Sequence, residues 1–126
     1  MLKSYPAVFH QENDGTFWVE FPEFGGGTQG QDIEEAMKNA REMLEGLLAS
    51  YLDDGLTLPK PTDIRSLTVK DGFVTLVQAD PRPFLKNNKA IRKNVTVPEW
   101  LVKMADKEKV NYSEILTQAL EKRLQI

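Results

Sequence analysis

The chain has 126 residues, 40% of them apolar and 28% charged, with a net charge of −3 and no cysteine, which excludes disulfides and thiolate-held metal sites. There is no run of about 18 apolar residues and no basic-then-apolar leader, so neither membrane insertion nor secretion is expected and a cytoplasmic location is the default. The length suits one average domain or two small ones.

In chain order, Ser4–Phe9 and Thr16–Phe21 read as two strands of a hairpin, with Asn13, Asp14 and Gly15 supplying the residues that reverse the chain. Alternation puts Phe17, Val19 and Phe21 on one face and Trp18 and Glu20 on the other. Pro22 closes the second strand, and Gly25–Gly30 is expected to give a turn and a short third strand. Its glycines match neither Walker nor Rossmann spacing, so they read as turn geometry rather than a phosphate cradle. Asp32 opens a helix in which Glu35 completes a capping box. Ile33, Ala36, Met37, Ala40, Leu44, Leu47, Leu48 and Tyr51 recur at helical spacing, a stripe expected to pack on the sheet. Asp53, Asp54 and Gly55 stop the helix, and Leu58–Pro61 leaves it extended. Phe73–Ala79 is nearly all apolar and reads as a buried or central strand, with Ile64–Val69 a possible hairpin partner. Prolines and asparagines then mark a joint, giving three segments: 1–80 as one module, 81–89 as linker and 90–126 as a second module.

The second module reads as one strand and two amphipathic helices. Alternation sets Ile91, Val95 and Val97 on one face and Arg92, Asn94 and Thr96 on the other, until Pro98 ends the strand and opens a helix. A lone strand of this size needs a partner for its backbone groups, and the economical partner is the same strand of a second chain. The resulting two-stranded ribbon fits the major groove of DNA, which is the ribbon-helix-helix pattern. Trp100, Leu101, Met104, Ala105, Ile115, Leu116, Ala119, Leu120 and Leu124 read as the shared dimer core, with Trp100 also suited to its rim. Asn94 suits adenine, Thr96 a base edge or thymine methyl, and Arg92 either guanine or phosphate. Lys93 falls where alternation calls for an apolar side chain, a place that suits a frayed strand end with its ammonium in water. Asn111, Tyr112 and Ser113 precede the second helix, whose amides make a phosphate clamp; Ser113 equally suits a plain N-cap. Charge divides accordingly. Residues 82–126 carry ten Lys or Arg against five acids, a net +5, and the rest of the chain carries −8, an arrangement suited to a polyanion at one end and a basic partner at the other.

The order of these parts resembles the HicB-type antitoxins. Tyr5-Pro6, Asp14-Gly15, Phe21-Pro22 followed by Glu23-Phe24-Gly25, Thr28, Gly30, Glu34-Glu35-Ala36, Leu58-Pro59, Lys60-Pro61, Asn94–Glu99 and Ser113 carry the likeness over nearly the whole chain. The resemblance implies an α+β protein: a partial RNase H-like amino-terminal domain, an antiparallel sheet with one packed helix, and a carboxy-terminal ribbon-helix-helix. It implies an antitoxin that neutralises a small basic RNA-cleaving toxin, HicA, and represses its own operon, with a homodimer through the carboxy-terminal domain and a larger assembly with toxin. Gly26-Gly27 stands where the family often has Gly-Cys, so the toxin-facing loop is expected to differ. No toxin-contact residue is assigned.

Two other functions remain in view: a stand-alone ribbon-helix-helix regulator whose first domain senses a ligand or oligomerises, and a metal-dependent ribonuclease. Two-metal hydrolysis needs carboxylates converging on ions about 4 Å apart. Of the acids available, Asp14 reads as a turn residue, Asp32 and Glu35 as helix caps, and Glu20 and Glu23 as surface groups. His10, the only histidine, reads as an exposed strand end. Neither an enzyme nor a cofactor or metal site is therefore expected.

Overall fold

The computed structural model describes every residue from Met1 to Ile126. The chain separates into two compact units, Met1–Asn88 and Lys89–Ile126.

The amino-terminal unit is a four-stranded antiparallel sheet with one long helix. Strands β1 (Lys3–Gln11), β2 (Phe17–Glu20), β3 (Gly27–Gly30) and β4 (Gly72–Ala79) lie in the order β3-β2-β1-β4. The β1–β2 turn is tied by Asp14, whose carboxylate accepts from the Thr16 amide at 3.0 Å and its hydroxyl at 2.7 Å. Gly15 follows at φ +87°, a conformation that suits glycine. The register pairs His10 with Trp18 and Phe9 with Val19, so Phe17, Val19 and Phe21 do share one face, all buried.

Helix α1 (Ile33–Asp53) covers that face. Asp32 caps it, accepting from the Glu35 amide at 2.8 Å, while the Glu35 carboxylate reaches back to the Gln31 amide at 3.2 Å. The buried stripe is Ala36, Ala40, Leu44 and Leu48, four residues apart each time. The two alanines come first because the helix starts hard against the sheet: a β-carbon on Gly30 would lie 2.3 Å from the Ala36 nitrogen. Ile33 and Met37, expected in the stripe, sit on its flank and stay partly exposed. Tyr5, Ala7, Phe9, Val77 and Ala79 complete the core, closed at one end by Phe24, Met43 and Leu58.

Two expectations about the sheet need correction. Ile64–Val69 is not a strand. Asp63 caps a 3-10 turn at Ile64–Ser66 and binds the Arg65 guanidinium at 2.8 Å, which curls the backbone out of any ladder. The partner of β4 is β1, in a register running from Lys3 opposite Ala79 to His10 opposite Gly72. Nor is β4 central, because it forms the outer edge of the sheet, with Leu76 about half exposed and Phe73 partly so. An apolar run signals burial without saying which strand will lie alongside it.

Other residues keep the chain close to this core. Pro6 and Val8 face away from α1 yet are buried, so the sheet is covered on both sides there. The Trp18 indole lies over Gly27, where a β-carbon would come within 2.6 Å of the ring. In the stretch read as linker, Asp53 accepts from the backbone amides of Lys86 and Asn87 at 2.9 Å. Those two amides hold its carboxyl below the usual carboxylate range. Arg82 binds Asp80 at 2.8 Å and holds that carboxyl down at about 2. Residues 82–87 are therefore fastened to the amino-terminal unit.

The carboxy-terminal unit contains two helices, α2 (Glu99–Lys107) and α3 (Tyr112–Leu124), preceded by chain without regular secondary structure from Lys89 to Pro98. No residue of either helix is buried. Residues 90–97 form no ladder, since a strand needs a neighbour and a single chain supplies none here.

Candidate functional site

The residues expected to meet nucleic acid all lie in the carboxy-terminal unit. Arg92, Lys93, Asn94 and Thr96 lie within one exposed segment without regular secondary structure, which also exposes Ile91 before them and Val95 among them. Pro98 opens α2 without a side-chain cap, its carbonyl accepting from the amides of Leu101 and Val102 at 3.1 Å. Glu99, in the first turn, complements the helix dipole and pairs with Lys103 at 3.5 Å. The chain leaves α2 through Lys109, which takes a left-handed φ of +53°. That conformation permits the tight turn into α3.

The start of α3 differs from expectation in its cap. Asn111 is the N-cap, its side-chain oxygen accepting from the Glu114 amide at 3.0 Å; Tyr112 and Ser113 are already the first two helical residues. Asparagine wins the position because its carbonyl reaches the open amides of the first turn as well as a serine does. Ser113 is therefore not the cap, and its hydroxyl is left for other use. Tyr112 acts within the module: its hydroxyl donates to the Asp106 carboxylate and also approaches the Val102 carbonyl at 3.4 Å. The bond to Asp106 raises the phenol above its ordinary pKa. Tyr112 thus braces α2 against α3, a role the sequence reading missed. An acid in the last turn of one helix, followed by tyrosine at the start of the next, was the signal for it.

Apolar exposure dominates this unit. Trp100, Met104 and Leu124 are about two-thirds exposed, at 64%, 60% and 64%, and Leu101, Ile115, Leu116 and Leu120 are also open to solvent. Soluble chains rarely leave so many large apolar side chains uncovered unless another surface meets them.

The acidic residues of the amino-terminal unit are spread out and locally engaged. No group of three or more His, Asp or Glu side chains stands close enough to hold a metal ion. Asp14 holds the hairpin and Asp32 and Glu35 cap α1, as expected. Glu23 is not a plain surface group. One of its oxygens accepts from the Thr62 amide at 2.6 Å, pinning the exit from α1, and the other is buried without a partner. The cause is the crossover chain, which folds back over the end of β2; burial and the Glu23 charge together raise the nearby Tyr5 phenol, which donates to the Pro59 carbonyl. His10 likewise has a partner: its Nε2 meets Glu20 Oε1 across the hairpin at 3.0 Å. Gly25 and Gly26 both take positive φ, the turn geometry read from their spacing. No helix of the chain is long and apolar enough to cross a membrane.

Comparison with known proteins extends these observations. The chain is 32% identical, over 95% of its length and 96% of the other protein, to an uncharacterised 14.9 kDa protein from the rep-hol intergenic region of Haemophilus phage HP1. Its fold is similar to a chain of a toxin–antitoxin complex from Streptococcus pneumoniae, with TM-score 0.63 and 29% identity over 98% of this chain and 99% of that one. It is also similar to the antitoxin HicB of Burkholderia pseudomallei, with TM-score 0.59 over 94% and 96% of the two chains; at 22% identity that match concerns the fold alone. The model of the HicB-like antitoxins of bacterial toxin–antitoxin systems matches residues 5–122, nearly the whole chain, and the protein belongs to that family.

Proposed function

We propose that this antitoxin neutralises a small, basic, HicA-like RNA-cleaving toxin through its amino-terminal unit and represses its own operon through a dimeric ribbon-helix-helix. The observation that carries the reading is the open apolar face of α2 and α3, next to an exposed segment that forms no ladder. A second copy resolves both at once: its segment pairs with this one, and its helices cover the exposed leucines. Arg92, Asn94 and Thr96 then line the outer face of a ribbon of the width the major groove accepts. Lys93 and the first-turn amides of α3, at Tyr112 and Ser113, serve the phosphates. The acidic balance of residues 1–81 supports a basic protein partner for the other unit. No cofactor, metal or catalytic residue enters this function.

The reading is tested by expressing the chain with a small basic protein encoded beside it. Growth rescue, co-purification of the pair and retention of the shared promoter DNA are the expected results. Rescue that requires residues 90–126 would place toxin binding on the wrong unit. A promoter bound no better than scrambled DNA would remove the repressor half of the function.

A further inference from the structure

We propose that Trp18, Glu20 and His10, at one corner of the sheet, form the contact by which the amino-terminal unit holds its protein partner, taking an arginine side chain against indole and carboxylate. The inference rests on the reading of a basic toxin as that partner, and adds the place and chemistry of recognition. Alternation sends Pro6, Val8 and His10 of β1 and Trp18 and Glu20 of β2 to the face away from α1. Cover over that face is uneven. Pro6 and Val8 are buried, whereas Trp18 is 40% exposed and the His10 and Glu20 side chains are 37% and 46% exposed.

The three exposed groups are built as a set. Glu20 lies opposite Gly27 of β3, and Gly27 is the residue on which the Trp18 indole rests, which brings ring and carboxylate side by side. His10 stands opposite Trp18 and reaches diagonally to Glu20, donating from Nε2 to Oε1 at 3.0 Å. That bond orients the carboxylate and leaves its second oxygen open.

What the set lacks is a permanent cation. Glu20 is the only acid in the four strands, and their only Lys or Arg, Lys3, falls on the α1 side with Tyr5 and Ala7. The ionic partner of Glu20 is His10, whereas Asp63 and Asp80 meet Arg65 and Arg82 of the chain itself. An exposed Glu–His pair adds little to stability, and tryptophan and arginine are the side chains that most often anchor interfaces. An arginine satisfies both open groups at once, because a planar guanidinium stacks on an indole face and donates to a carboxylate. Other occupants fit worse. An anionic surface is repelled by Glu20 and by residues 1–81 as a whole, which carry six Lys or Arg against fourteen acids. A purely apolar one would bury the carboxylate with no full counter-charge.

The test titrates the full-length antitoxin with the basic protein encoded beside it and reads affinity by calorimetry. Glu20→Gln keeps an oxygen for His10 and removes only the charge, while Trp18→Leu keeps apolar bulk and removes the ring face. Each should weaken binding about tenfold. Glu42→Gln, an equal loss of charge at an exposed position of α1, should change it by less than about twofold. Since one guanidinium serves both groups, the double variant should lose far less than the roughly hundredfold of two independent contacts. Binding by the parent with Glu20→Gln equally tight, or with Glu42→Gln equally weakened, would overturn the proposal and leave the toxin reading standing. Losses that multiply would overturn the single arginine. A parent that binds no such protein would overturn both readings. If Trp18→Leu fails to fold, Glu20→Gln against Glu42→Gln still decides.

Discussion

Phe9, Val19, Leu44 and Leu48 in the amino-terminal unit are fully shielded from solvent, whereas Trp100, Met104 and Leu124 in the carboxy-terminal unit stand about two-thirds exposed. Both units pattern their helices amphipathically, so sequence periodicity is not the difference. Size is. The longer unit can wrap a sheet and a 21-residue helix around one core, while two helices of 9 and 13 residues have nothing to close against. Below about 40 residues a domain usually needs a disulfide, a metal or a partner, and this chain has no cysteine. One unit closes its own core, and the other leaves its apolar residues open.

The strongest way to break that contrast is to truncate a leucine on each side. Leu44→Ala leaves a cavity in a closed core and should cost about 2–5 kcal/mol. Its denaturation midpoint, read by circular dichroism, should fall accordingly. Leu120→Ala should act by weakening association, so its cost should change with protein concentration, following the rule that each tenfold in concentration is worth about 1.4 kcal/mol. A concentration-independent loss at Leu120 would mean that the carboxy-terminal unit stands alone.

Next in size are the residues of the proposed ribbon. Asn94→Ala should lower discrimination of operator from scrambled DNA by about 1–3 kcal/mol, leaving toxin neutralisation intact. Lys89→Ala or Lys93→Ala should weaken both duplexes alike and flatten the salt dependence by roughly 0.9 in log–log slope for each lost phosphate contact. Titrations at several salt concentrations separate the two behaviours. An unchanged operator preference in Asn94→Ala would indicate a ribbon shifted by one residue, which exchanges its faces.

Smaller effects refine the picture at the helix starts. Asn111→Ala removes the cap of α3 and should cost about 1 kcal/mol, whereas Ser113→Ala should leave helix stability nearly unchanged. Thermal melts of the two variants check the assignment.

The smallest effect concerns the tie between α1 and residues 86–87. Because Asp53 has a lowered pKa in the folded chain, its contribution is complete above the ordinary carboxylate range and disappears as pH falls through the lowered value. Asp53→Asn should reproduce that loss at neutral pH. Faster amide exchange at Lys86 and Asn87, with the rest of the unit unaffected, is the expected sign.

What the sequence revealed follows the range of the interactions involved. The hairpin at Asp14-Gly15, the Asp32 cap and the α1 stripe depend on neighbours within a few residues, and each was legible. The edge position of β4 depends on β1, more than sixty residues away in sequence, and its apolar run carried no mark of that choice. The turn at Ile64–Ser66 was hidden because Ile and Leu disguised the local pull of Asp63 on Arg65. Asp53 carries a readable signal: an acid at a helix carboxy terminus opposes the dipole and so asks for donors from elsewhere. In the second unit the residues of the candidate interface follow from alternation, but the single chain forms no ladder there to align them.

The indole of Trp18, resting on Gly27, has an optical consequence. The chain holds two tryptophans, Trp18 and Trp100, one in each unit. Trp18 is held against backbone, so without toxin its emission should keep a constant colour and anisotropy while the fold persists. Trp100, 64% exposed, should emit at long wavelength in a separated chain and shift to the blue when a second copy covers it. With Trp18→Phe the remaining fluorophore becomes an intrinsic gauge of pairing in the carboxy-terminal unit, and with Trp100→Phe the other reports on the amino-terminal unit.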